Sequence, residues 1–171
     1  MSARSTLIFG VLLLFAAVWS YETAKTQDRV LDLSKVPIKK APPCIRMYDY
    51  LQTYSEKYGV PFCIAYGVAH AETRYGGPFD WDYNPSLTSP AAAYGAMQIQ
   101  VPTANSVWDH KRKITSKQLL TNLELNVETS IKLLAKLKER YGSWELALGC
   151  YNTGRPIVNS YAVEIVNSCK R

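Results

Sequence analysis

Residues 116–141 read SKQLLTNLELNVETSIKLLAKLKERY, an amphipathic pattern in which Ile131, Leu134, Leu137 and Lys138 keep one stripe while Lys and Glu fill the outer face. Gly142 stands where such a helix stops. The same spacing recurs along the chain. Cys44–Tyr58 puts Ile45, Tyr48, Leu51 and Tyr54 on one face and ends at Gly59. Pro61 opens a helix running to about Thr73 or Tyr75, Pro102–Trp108 forms a short one, Ser143 caps one through Cys150 to Asn152, and Pro156 begins the last. Residues 76–90, GGPFDWDYNPSLTSP, follow neither period, and at most a short strand pair is expected near Met97–Val101. The pattern predicts a mainly α single domain of about seven helices.

The front of the chain is of another kind. Arg4, the uncharged run Leu7–Trp19 and small Ser20 read as a secretory signal peptide over residues 1–20. The run is shorter than the ~20 residues of a spanning helix; left uncleaved, it would hold the domain at the inner membrane. Residues 21–43 are polar, carry Lys39-Lys40 and end in two prolines, as a linker does, so the domain proper is expected at 44–171. Export, with the periplasm favoured, makes Cys44, Cys63, Cys150 and Cys169 candidates for two disulfides. Three pairings are open, with Cys44–Cys169 favoured because it joins the domain ends. The alternative leaves Cys63 and Cys150 as buried thiols. No CxxC occurs and His70 and His110 are the only histidines, so neither a metal site nor a cofactor is expected. The net charge of +6 suits a polyanionic surface such as the bacterial envelope. No basic run interleaved with aromatics points to nucleic acid.

Chemistry concentrates at AHAETRYGG, residues 69–77. On the helix opened by Pro61, the row Ile64, Val68, Glu72 sets a carboxyl among apolar residues, with Ala65 and Ala69 one step round. Burial disfavours the carboxylate and raises its pKa, the condition of a general acid near neutral pH. The competing reading pairs Glu72 with Arg74 at the helix end. Downstream, Gly95 permits close backbone approach and Gln98 offers donor and acceptor, while Tyr151 and Asn152 close a later helix. A carboxylic acid with amides and phenols suits carbohydrate.

The order Glu72-Thr73, Ser89, Gly95-Ala96-Met97-Gln98-Ile99, Asn126, Tyr151-Asn152-Thr153-Gly154, Tyr161 resembles the catalytic domain of the soluble lytic transglycosylases, relatives of goose-type lysozymes. The resemblance spans about residues 45–168. It implies a lysozyme-like α-rich fold, a peptidoglycan glycan strand as partner, and cleavage between N-acetylmuramic acid and N-acetylglucosamine. It also implies Glu72 as sole acid and base, with Ser89, Met97, Gln98, Tyr151, Asn152 and Tyr161 as substrate-binding residues. Thr73 replaces a serine, Ala96 a leucine and Cys150 an alanine, Ala92 stands where glycine is frequent, and the aromatic loop with Phe79, Trp81 and Tyr83 is long for the family.

In the lytic reaction that this resemblance implies, Glu72 protonates the glycosidic oxygen and then takes the proton of the sugar's own 6-hydroxyl, leaving a 1,6-anhydromuramic acid end. The rival is hydrolysis, with Asp80 or Asp82 as a second carboxylate holding a water. For both aspartates, turn chemistry in the loop is the plainer reading. A catalytically silent peptidoglycan-binding subunit is the rival from another class. An envelope-spanning secretion or conjugation apparatus is a possible partner on any of these readings.

Overall fold

Among the described residues, side chains of Thr115, Asn122, Ser143 and Asn159 cap the starts of four helices, while the others begin beside prolines. The computed structural model describes residues 37–108 and 113–170. The expected signal peptide, most of the linker and His110 lie outside the described residues. A 3-10 turn, Ile38–Lys40, leads into α1 (Pro43–Tyr58), which stops at Gly59 with φ of 65°. After it come α2 (Phe62–Thr73), β1 (Ala93–Tyr94), β2 (Ile99–Gln100), α3 (Val101–Val107), α4 (Ser116–Thr121), α5 (Leu123–Tyr141), α6 (Trp144–Thr153) and α7 (Ser160–Ser168). The described residues are thus mainly α, with seven α-helices and one antiparallel strand pair registered Ala93 with Gln100 and Tyr94 with Ile99.

Two helix boundaries correct the sequence reading. The expected helix over 116–141 is broken at Asn122, whose φ of −110° and ψ of 89° are not helical. Its amide nitrogen donates to the Gln118 carbonyl, closing α4, and its side chain accepts from Leu125 N–H at 3.1 Å, opening α5. An Asn side chain competes with the helix ladder in this way. Upstream, Thr115 and Gln118 form a reciprocal capping box. The last helix starts at Ser160, capped by Asn159 through Ala162 N–H at 3.0 Å, and not at Pro156.

The core lies between α1, α2, α5, α6 and α7, where Met47, Ile64, Val68, Ile131 and Leu148 are fully or almost fully buried. Along its edge runs a chain of rings: Tyr48–Phe62 at 5.3 Å, Phe62–Tyr66 at 5.9 Å, Tyr66–Tyr75 at 5.5 Å and Tyr75–Tyr83 at 4.9 Å between centroids. Buried Tyr75 donates its hydroxyl to the Cys44 carbonyl at 2.7 Å. The favoured Cys44–Cys169 pairing is not the one made: the disulfide joins Cys63 to Cys169, across 106 residues of sequence, and Cys44 and Cys150 are free. Cys44 points into the core from the first turn of α1, whereas Cys63 lies on the face of α2 that meets α7. In the chain-entropy view, closing a loop of that length is worth about 4–5 kcal/mol.

Candidate active site

Glu72 sits one residue before the end of α2, where the row begun by Ile64 and Val68 leaves the core. The helix ends in the left-handed conformation at Arg74, φ 57°, so the chain turns away immediately after the acid. Thr73 fixes that turn. Its buried hydroxyl lies 2.8 Å from the Ala96 carbonyl, 3.2 Å from the Ala69 carbonyl and 3.0 Å from the Tyr83 hydroxyl. Burial pushes the Tyr83 phenol up to about 12. One side chain thus joins the end of α2, the aromatic loop and the β1–β2 turn.

The turn is held from the other side by Asn126 of α5, which is fully buried. Its Nδ2 donates to the Tyr94 and Leu119 carbonyls at 2.8 and 3.1 Å, and its Oδ1 accepts from Met97 N–H at 2.9 Å. Gly95, with φ of 79°, passes so near that a Cβ there would stand 2.3 Å from Asn126 Nδ2. Only glycine meets both conditions. Ala92, at the position noted for frequent glycine, adopts φ of 54°, a conformation that costs an alanine roughly 1 kcal/mol.

These anchors leave a cleft of about 440 Å³ whose walls include Glu72, Ser89, Gln98, Tyr151 and Asn152. Among the described residues lining it, Glu72 is the one carboxyl group. Burial raises its pKa above the ordinary carboxylate range, and a 2.7 Å hydrogen bond donated by the Tyr161 hydroxyl to Oε1 works against that rise. Burial, and then the charge of Glu72, push the phenols of Tyr161 and Tyr151 far up, so both stay protonated donors. Gln98 commits Nε2 to the Leu87 and Gly95 carbonyls, at 3.1 and 2.8 Å, which leaves its carbonyl oxygen for a ligand. Ser89 Oγ accepts from Ala93 N–H at 3.1 Å and keeps its own hydrogen to donate.

Of the residues expected to bind substrate, Met97 does something else. Its side chain is fully buried and absent from the cleft wall. What it turns to the site is main chain, since its carbonyl accepts the Tyr151 hydroxyl at 2.7 Å. Tyr161 acts on Glu72 from behind the wall. Asp80 spends its carboxylate on Gly76 N–H at 2.9 Å, as a turn aspartate does, and neither it nor exposed Asp82 lines the cleft. Sequence reasoning missed the bracing by Tyr83 and the cleft walls given by Leu133 and Leu137 of α5. The hydroxyl kept at Thr73 was the available signal for the first; helix spacing alone carried none for the second.

A family model described as the transglycosylase SLT domain matches residues 49–164. The chain belongs to the transglycosylase SLT domain family. The match runs from within α1 to within α7, and includes Glu72, Gln98, Tyr151 and Tyr161. This SLT domain also resembles two solved structures, each at 22% identity, with a TM-score of 0.53 and 70% of the chain covered. One is the 70-kDa soluble lytic transglycosylase from Escherichia coli; the other is a 70-kDa soluble lytic transglycosylase in complex with bulgecin A. The likeness is one of fold, and the chain spans 19% of the length of each of those chains. No curated protein matches it.

Proposed function

We propose that this SLT domain cleaves the bond between N-acetylmuramic acid and N-acetylglucosamine in peptidoglycan by lytic transglycosylation, with Glu72 as acid and then base. The observation that carries the reading is a single carboxyl in the cleft wall, raised in pKa by burial and held by a neutral phenol. Tyr161 occupies Oε1, so the proton rides on Oε2. Glu72 gives that proton to the glycosidic oxygen as the bond from the muramic C1 breaks, and the neighbouring N-acetyl oxygen stabilises the cation. The 6-hydroxyl of the same sugar then closes on C1 and returns its proton to Glu72, so atoms balance without water. Gln98, Ser89 and the amide of Asn152 supply the hydrogen bonds that sugar hydroxyls and acetamido groups need.

The N-terminal segment, on this reading, directs export to the periplasm, where an envelope-spanning apparatus would use local opening of the wall. Mass spectrometry of fragments released from purified peptidoglycan tests the chemistry. Non-reducible anhydromuramic ends are expected, and Glu72→Gln should release none while staying folded. Reducing ends would replace the reading by hydrolysis and return attention to Asp80 and Asp82. Folded, wall-bound wild-type protein that releases nothing would leave a binding subunit.

A further inference from the structure

Three contacts climb the seam between α2 and α7. At one end Cys63 is bonded to Cys169. One helical turn further along α2, Gly67 receives Ile165 so closely that a Cβ at position 67 would stand 2.7 Å from Ile165 Cγ2. At the other end Tyr161 donates to Glu72 at 2.7 Å. As α2 advances from 63 to 67 to 72, α7 retreats from 169 to 165 to 161, so the contacts are rungs in step along two antiparallel helices. The glycine notch sets how near the helices come, and the covalent rung sets their relative height. Height matters because a slide of one residue is ~1.5 Å along the axis, enough to lengthen and tilt the 2.7 Å bond made across the seam. α7 is nine residues long, too short to be stable alone; it is held by the packing of Ala162, Ile165 and Val166 in the core, and the disulfide adds a covalent tie at its far end.

Resting on the reading of Glu72 as the acid, we propose that the Cys63–Cys169 disulfide is a positioning element for catalysis, holding α7 at the height where Tyr161 donates to Glu72. The two cysteines touch no substrate; they act through the helices that carry the acid and its donor. Among the described residues, the titratable groups that interact with Glu72 are Tyr161 from α7 and Tyr151 from α6. Of these, only Tyr161 lies on the helix that the disulfide tethers.

The test reads the coupling between the two side chains rather than turnover. Carbon-13 NMR would follow the titration of the Glu72 carboxyl in the wild type, Tyr161→Phe, the double variant Cys63→Ala/Cys169→Ala, and all three substitutions together. With the disulfide present, Tyr161→Phe should raise the pKa of Glu72, because it removes a bond that favours the carboxylate. Without the disulfide that upward shift should fall to about half or less. Equal shifts in both backgrounds would overturn the proposal and make the disulfide a staple for stability alone, a role that lowers the melting temperature without touching the coupling. If the alanine pair does not fold, the same comparison is made on the natural cysteines with and without a phosphine reductant. Failure of the peptidoglycan reading would show separately, as coupling that depends on the disulfide in a protein that releases no fragments.

Discussion

The Tyr161 hydroxyl meets Glu72 Oε1 at 2.7 Å across 89 residues of sequence, so the phenol is bonded to one particular oxygen of the carboxyl group. That bond sets two influences on one pKa against each other: burial raises it, the larger cause, and the phenol lowers it.

Tyr161→Phe should therefore move the alkaline limb of the pH–rate profile to higher pH. The acid works while protonated, its activity falls as pH rises through its pKa, and the substitution raises that pKa. Turnover at the optimum should drop roughly tenfold as the carboxyl loses its orientation. The profile is read from fragment release at constant ionic strength, and a limb displaced to lower pH would contradict the assignment.

Glu72 is expected to weaken the fold at neutral pH. Its folded pKa is raised, so the folded state holds more protons than the unfolded one between the ordinary carboxylate value and the raised one. The stability it contributes is full below the first and lost as pH rises through the second. Glu72→Gln should melt above the wild type near pH 7, and the two curves should converge at about pH 4 and below. Calorimetry at the two pH values decides, and a gap independent of pH would point to some other cause.

Asn126→Ala should cost about 2–4 kcal/mol, because it strands the Met97 N–H and two backbone carbonyls away from water. Urea midpoints measure the loss. Activity should fall with it, since the β1–β2 turn carries Gln98 into the cleft.

In the aromatic loop, position relative to Thr73 should matter more than ring size. Phe79 and Trp81 are 77% and 61% exposed, so serine at both should change stability by no more than about 0.5 kcal/mol. Tyr83→Phe, which deletes a single oxygen bonded to the buried Thr73 hydroxyl, should cost about 1 kcal/mol or more. Paired thermal melts give the comparison, and an inverted order would refute the bracing role.

Much of the site was legible because it rests on local rules. The i, i+4, i+8 row placed Glu72 among apolar residues, and Gly59, Gly142 and Ser143 marked boundaries the structure keeps. The break at Asn122 was hidden because the apolar stripe runs on across it, and only the side chain's choice to cap Leu125 ends one helix and starts another. Pro156 suited a first helical position, but Asn159 won because its side chain satisfies a free N–H. The cysteine pairing was beyond reach of spacing, since it depends on which face of α2 meets α7. Met97 misled for a related reason: in a four-residue turn with left-handed residues at both ends, Gly95 and Gln98, no period says which way a side chain points.

Cys150, partly exposed and outside the disulfide, stands in the cleft wall one residue before Tyr151, while free Cys44 has no exposure at all. The chain therefore carries its own attachment point for a reporter. A fluorophore or spin label coupled to the native protein would enter at the cleft and not in the core, and would sense whatever fills that space without an engineered cysteine.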